Sequence, residues 1–403
     1  MQTLLETQRI KIAKWIDEYA GRWLIRLVCW LQPAQPRQHE PAIIDRILFV
    51  KFWGIGSIIL AEPTLRYLRK IYPQARLDFL TLKQNQELFK LIPQVDRVHC
   101  LDFRHLWRFV LSAISLIVQL RRQRYDLIID AEFFANFSAL VSRLVNPQCL
   151  VGFSRPGASK SRLLDIVVPF LDEQHAADNF LRLVMNDRTA DISGWAQPQI
   201  ASPNSIFGEK DSALRPYVVM NVNASPLALE RRWPQERFVQ LAQWLLQTYE
   251  VDLALIGSPA EREYTDGVAA AIGNPYAVRN LAGTLTLVEL AALIENAALF
   301  ISNDSGPLHL AAALQKPVAG FFGPETPERF GPRCDDRLIF YLDLPCSPCM
   351  SVDNAKTVNC TNHLRCMGDL KVTLVIPSLQ RFIDQRELLP ERIAKTKFVA
   401  SIE

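Results

Sequence analysis

No stretch of the 403-residue chain is apolar for long enough to cross a bilayer, which takes about 20 uninterrupted residues. A secretory leader is also missing, because the opening MQTLLETQRIKIAKWIDEYAGRW mixes acids and bases where a leader's core would be apolar. Net charge is only +3, so composition makes no case for a nucleic-acid partner. These absences lead to the expectation of a protein made and kept in the cytoplasm, where thiols stay reduced and disulfides are rare. What is present is ordinary globular material, 49% apolar and 22% charged, with length for two or three domains.

Four of the eight cysteines are scattered, namely Cys29, Cys100, Cys149 and Cys334, and read as core fillers. The other four, Cys346, Cys349, Cys360 and Cys366, fall close together in CSPCMSVDNAKTVNCTNHLRC beside His363. Thiolates at that spacing can hold a structural zinc, although the last two are too far apart for a standard ribbon. A small metal knuckle and a plain thiol-rich loop are both open readings.

Near the start, Ile12, Ile16, Tyr19, Trp23, Leu27 and Trp30 recur at three- and four-residue spacing, one apolar stripe of a helix over residues 10 to 31. Lys11, Lys14, Arg22 and Arg26 flank it. Such a helix can lie in a membrane interface or pack on the body of the protein. The stretch QPAQPRQHEP that follows is a proline-broken linker.

From Arg46 onward, buried-strand runs alternate with helical stretches. RILFVKF, ARLDFLTL, YDLIIDAEF and CLVGFSR make one series; YVVMNVNAS, DLALIGS, LFISND and PVAGFFGP make a second. The alternation predicts two doubly wound parallel sheets, and a cleft between two such domains is where a small molecule binds. The expected division is an N-terminal helix and linker over 1–44, a first Rossmann-like domain over 45–197 and a connection over 198–215. A second domain follows over 216–375, and a closing helix and tail over 376–403.

Chemistry-bearing residues gather at strand ends. After the first strand, KFWGIGS places Gly54, Gly56 and Ser57 on a turn that lets backbone approach a ligand, though without the third glycine of a dinucleotide fingerprint. In the second series, NVNAS ends with Asn223 and Ser225 and leads to Arg231 and Arg232, suited to phosphate oxygens. LIGSPAE offers Gly257 and Glu261, a carboxylate able to accept from a ribose. NDSGPLH puts Asp304, Ser305, Gly306 and His309 at the start of a helix, where free N–H groups favour anions. One of these could be a mere helix cap. The three consecutive strand ends together point to nucleotide-diphosphate chemistry.

NDSGPLHLAAALQKPVAGFFGPETPERFGP resembles the signature of glycosyltransferase family 9, the heptosyltransferases of lipopolysaccharide assembly. ILFVKFWGIGSIILAEPTLRYLRKIYPQARLDFLT is similar to that family's opening, and YDLIIDAEFFANFSALVSRL, RRWPQERFVQLAQWL and the late cysteine run match as well. The resemblance covers roughly residues 45 to 375. It implies a GT-B fold, two Rossmann-like domains facing across a cleft, with the acceptor on the first and a nucleotide-activated sugar, typically ADP-heptose, on the second. It implies inverting transfer without a catalytic metal, onto a lipopolysaccharide-core or other lipid-linked saccharide at the cytoplasmic face of the inner membrane. By the same resemblance Asp304 contacts the donor sugar, Ser305 and Gly306 lie at the diphosphate or sugar with His309 behind, Arg231 and Ser225 hold phosphate oxygens, and Glu261 reaches the ribose.

One position departs from the family. The turn usually reads Gly-Asp, with the aspartate as general base, and here it reads Gly56-Ser57. A serine has no suitable pKa for that task. Glu62, Asp130 and Glu132 are the replacement candidates; the alternatives are a non-catalytic nucleotide-sugar-binding or scaffold protein and an epimerase-like enzyme on the same fold.

Overall fold

A computed structural model of the chain describes residues 43–102, 106–133, 135–155, 157–185, 194–203, 215–225, 228–352 and 360–391, together with 17, 19, 21–31, 35 and 41. Ile12 and Ile16 of the expected stripe, Lys11 and Lys14 beside it, much of the expected linker and tail, and the middle of the cysteine run lie outside these residues.

The first sheet holds β1 (Arg46–Val50), β2 (Arg76–Leu82), β3 (Arg97–Leu101), β4 (Leu127–Asp130), β5 (Cys149–Phe153) and β6 (Ile166–Val168) in the order 3-2-1-4-5-6. The second holds β7 (Tyr217–Asn221), β8 (Asp252–Leu255), β9 (Val278–Asn280), β10 (Leu299–Asn303), β11 (Val318–Phe321) and β12 (Arg337–Phe340) in the order 12-11-10-7-8-9. Every pairing is parallel, for example Val50 beside Asp130 and Asn221 beside Ser302. Central strands are mostly apolar because helices cover both faces; all five residues of β5 and of β10 are buried.

A helix over residues 21–31, α1, precedes the first sheet. The connections there are α2 (Ile55–Leu60), α3 (Glu62–Ile71), α4 (Leu106–Arg121), α5 (Asn136–Val145) and α6 (Ala176–Arg182). Around the second sheet come α7 (Gln235–Thr248), α8 (Arg262–Ile272), α9 (Leu287–Glu295), α10 (Gly306–Ala313), α11 (Pro327–Phe330), α12 (Arg365–Gly368) and α13 (Val372–Gln385). Local signals set their starts. Pro63 sits in the first turn of α3 with Glu62, and Thr286 with Glu289 closes a capping box before α9.

In each sheet the chain reverses direction of travel once, between β1 and β4 and between β7 and β10. Such switch points open a crevice at the carboxyl ends of the strands, where doubly wound sheets bind ligands. The two switch points meet: α2, which follows β1, packs on α10, which follows β10. Further contacts hold the halves together. Arg333 pairs with Asp178 at 2.6 Å, Arg329 Nε donates to the Asp172 carbonyl at 3.1 Å, and His175 Nε2 bonds the Gly331 carbonyl at 2.9 Å.

Candidate functional site

At the second switch point the ends of β7 and β10 are laced by buried polar side chains. Asn221 Nδ2 donates to Ser305 Oγ at 2.9 Å and Ser302 Oγ at 3.2 Å. Asn303 Nδ2 donates to the Asn223 carbonyl at 3.0 Å, while Asn303 Oδ1 accepts from Trp233 N at 2.9 Å. Asp304 N donates to the Phe321 carbonyl of β11 at 2.9 Å. A satisfied network in a low-dielectric interior is stiff, so this turn holds its shape before any ligand arrives.

Onto this frame the chain places charge. Asp304 is buried, and its Oδ2 stands 3.2 Å from Nη1 of the buried Arg231, an ion contact that is not aligned as a hydrogen bond. Arg231 Nε is directed at Met350 Sδ, 3.3 Å away. Among the described residues, Arg231 Nη2, Arg232 Nε and Asn223 Oδ1 are shielded from solvent with no hydrogen-bond partner. Arg232 lies 3.9 Å over the Tyr264 ring. A buried donor without a partner costs about 1–3 kcal/mol, and the Arg231 guanidinium beside the Asp304 turn that leads into α10 suits an anion oxygen.

Gly257, two residues past β8, lets Asn223 come close: a Cβ there would lie 2.7 Å from Asn223 Nδ2. Glu261 accepts from Ser258 N at 2.7 Å within its own capping box, and Ser225 is exposed at the end of the β7 turn.

The first switch point contributes backbone rather than charge. Gly54 has φ of +82°, a conformation natural to glycine, and turns the chain into α2. Gly56 faces His309 so closely that a Cβ would fall 2.5 Å from its Cδ2, and Gly306 Cα would be 3.4 Å away. Gly56, Gly306 and His309 are therefore one junction, with Ser57 on the same helical turn as Gly56.

The three candidate bases sit behind this turn with their oxygens engaged. Glu132 pairs with Lys51 at 2.9 Å, and its other oxygen accepts from Phe52 N and Trp53 N at 2.6 and 2.9 Å, so it shapes the KFWG turn. Asp130 pairs with Lys160 at 2.9 Å and accepts from Ser138 Oγ and Glu132 N; burial raises its pKa. Glu62 accepts from Gln199 N at 2.8 Å and Gln94 Nε2 at 3.1 Å, with Arg66 at 3.4 Å; burial pushes its pKa up to about 7. The fold brings Asn223, Arg231, Asp304, Gly306, His309 and Gly56 together and leaves these carboxylates in supporting positions.

The four thiols of the cysteine run lie near one another: burial, with Cys349, Cys360 and Cys346 close by, pushes the Cys366 thiol up to about 11. Cys346, Cys349 and Cys360 are exposed while Cys366 is buried, and among the described residues no three His, Cys, Asp or Glu side chains are grouped to hold a metal. Cys349 N and Met350 N both bond the Pro324 carbonyl, at 2.9 and 2.8 Å, which lays the loop over the strand end and sets Met350 against Arg231.

Several site residues escaped the sequence analysis. Lys51 and Lys160 are buried partners of acids far away in the chain, at 2.9 Å each. Arg329 holds Glu325 at 3.2 Å one helical turn earlier and also reaches the Met350 carbonyl at 3.3 Å. Of these, only the Glu325–Arg329 spacing was visible as a helical ion pair.

Comparisons with known proteins identify the family. Residues 113–358 match the model of glycosyltransferase family 9 (heptosyltransferase). Lipopolysaccharide heptosyltransferase 2 of Salmonella typhimurium is 26% identical over 296 residues, covering 70% of this chain and 84% of its own. Lipooligosaccharide heptosyltransferase 2 of Haemophilus influenzae is 35% identical over 321 residues, covering 73% and 88%. The solved E. coli ADP-heptose LPS heptosyltransferase II shares the fold at a TM-score of 0.68 and 22% identity, over 85% of this chain and 99% of that one. Two Rossmann-like sheets joined at their switch points, with the matched segment running through both, place this chain in glycosyltransferase family 9, with a GT-B fold.

Proposed function

We propose that the chain transfers a heptose from ADP-heptose, with inversion and without a catalytic metal, to a hydroxyl of a lipopolysaccharide-core or similar lipid-linked saccharide. The reaction is placed at the cytoplasmic face of the membrane. The observation that carries this reading is the buried Arg231–Asp304 pair beside the start of α10, with Arg231 Nη2 shielded from solvent and without a hydrogen-bond partner. The donor named for the E. coli structure, ADP-heptose, has the diphosphate that such donors suit.

In transfer, the bond from the anomeric carbon to the diphosphate oxygen breaks as the acceptor oxygen bonds that carbon from the opposite face. The leaving diphosphate gains charge, which Arg231 and Arg232 neutralise; preorganised donors of this kind contribute about 3–4 kcal/mol each to a barrier. Asp304 orients Arg231 and lies where sugar hydroxyls emerge from the diphosphate. The acceptor approaches over Gly54–Ser57, across the junction with Gly306. Glu62, Asp130 and Glu132 are read as positioning groups, and Ser57 leaves the acceptor proton to water. Without a base the step is slower by about 10²–10⁴-fold.

The test is ADP release by purified protein supplied with ADP-heptose and a deacylated core acceptor. Acceptor-dependent release supports the reading; tight ADP binding with no release would favour a nucleotide-sugar-binding scaffold.

A further inference from the structure

The amphipathic stripe of α1 faces away from the protein. The body side of the helix is a different set of residues: Gly21, Ile25 and Val28 are buried, and Ile25 and Val28 pack on Ala139 and Leu140 of α5 and on Leu163. Gly21 comes so near α5 that a Cβ would lie 3.0 Å from Asn136 Cβ. Just before the helix, Asp17 accepts from Asn136 N at 3.0 Å and Phe137 N at 2.6 Å, capping α5 from outside. Cys29 Sγ adds a bond to the Arg162 carbonyl at 3.3 Å. The helix is fixed without using its tryptophans.

Those remain in the open. Trp23 is 71% and Trp30 79% exposed, and Leu24, Leu27 and Leu31 are each more than half exposed. On the other flank of α5, α4 presents Leu111, Ile114 and Val118 to solvent at helical spacing. α4 and α5 lie on the sheet face that receives Leu48 and Val50, opposite the face whose Ile47 and Phe49 join the core reaching the second domain, and α1 packs on α5. The apolar surface is thus on the outer side of the first domain.

Charge identifies the occupant. The segment 21–31 contains Arg22 and Arg26 and no acid, and α4 runs into Arg121 and Arg122. Arg26 lies 5.1 Å over the Trp23 ring, the stem-along-ring arrangement that suits an interfacial depth. Tryptophan with flanking arginine on an exposed apolar helix face is the composition of a helix lying in a headgroup layer.

We propose that α1, supported by the outer face of α4, is an in-plane docking surface for an anionic lipid bilayer, bringing the first domain to a membrane-held acceptor. This rests on the membrane-face location given above, but its test is independent of transfer. Flotation of the full chain with phosphatidylglycerol-containing vesicles, against phosphatidylcholine vesicles, measures binding. Trp23→Ser with Trp30→Ser should lower partition at least about tenfold, and Arg22→Gln or Arg26→Gln about fivefold each on the anionic vesicles alone. All variants should release ADP from ADP-heptose as the parent does when given a water-soluble acceptor, which separates failed docking from failed catalysis or folding. Absence of flotation by the parent protein, or equal flotation by the tryptophan variant, overturns the proposal. So does a parent dimer in light scattering that the tryptophan variant converts to monomer without any lipid binding, since a second copy would then cover the face.

Discussion

Gly56 and His309 share one space: the imidazole of α10 occupies the volume a side chain at position 56 would need, with Cδ2 2.5 Å from the missing Cβ. This contact sets how closely the donor turn approaches the acceptor turn. Gly56→Ala should force the ring or the domains apart, destabilising by about 1–3 kcal/mol and lowering kcat/KM about tenfold through misplacement of the reacting groups. At Gly306 a Cβ would meet its nearest neighbour at 3.5 Å, an ordinary contact. Gly306→Ala should therefore leave stability within about 0.5 kcal/mol. Denaturant melts and steady-state kinetics on both variants check the contrast.

Arg231 holds the buried Asp304 and, in the proposed function, the donor phosphate. Arg231→Met strands the buried Asp304 carboxylate and should cost about 3 kcal/mol of stability, with kcat/KM down about 10²–10³-fold. Arg231→Lys keeps the charge but loses the fork, so donor KM should rise about tenfold with little change in melting. Equal effects of the two substitutions on donor KM would argue against a bidentate phosphate contact.

Position 57 offers a gain-of-function experiment. Ser57→Asp restores a carboxylate to the turn beside Gly56 and should raise kcat by about tenfold or more if the acceptor proton leaves there. The new pH–rate profile should gain an acidic limb. Unchanged kcat with an unchanged profile would mean that proton transfer at this turn does not limit the reaction.

Two buried groups give opposing pH dependences. His175 donates from Nε2 to the Gly331 carbonyl and accepts at Nδ1 from Ala177 N; burial, with Arg333 nearby, lowers its pKa to about 3. Unfolded histidine titrates near 6.5, so between 6.5 and 3 the unfolded chain takes up a proton the fold refuses. Stability from this group is complete above 6.5 and falls about 1.4 kcal/mol per pH unit on acidification. Glu62 works in reverse. Its pKa is about 7 when folded against 4.5 unfolded, so stability falls by a similar slope as pH rises from 4.5 to 7. The slopes cancel between 4.5 and 6.5. His175→Gln should expose a decline with rising pH in that window, and Glu62→Gln a rise; urea melts across the window read both.

Much of this architecture can be read from the chain itself. RILFV, CLVGF and LFISN are apolar over most of their length because central parallel strands are covered on both faces. The strands that the sequence analysis did not pick out are β3, β6, β9 and β12, and these are the four sheet edges. Their exposed flanks admit residues such as Arg97, Val167, Arg279 and Arg337, and the shortest have three residues, so no buried run marks them. The polar turn before α10 stood out in the sequence as well, since NDSGPLH combines chemistry that capping alone does not require.

Sequence by itself thus determined the two-sheet alternation and the strand ends that carry the polar residues, because burial on both faces and turn chemistry leave local marks. Tertiary structure alone decided what those residues do. Glu132 and Asp130 looked available at a strand end, yet Lys51 and Lys160 meet them from 81 and 30 residues away. Periodicity likewise revealed an apolar stripe on α1 without saying which side the body takes. Helical spacing records which residues share a face; only the packing of Ile25 and Val28 on α5 leaves Trp23 and Trp30 outside.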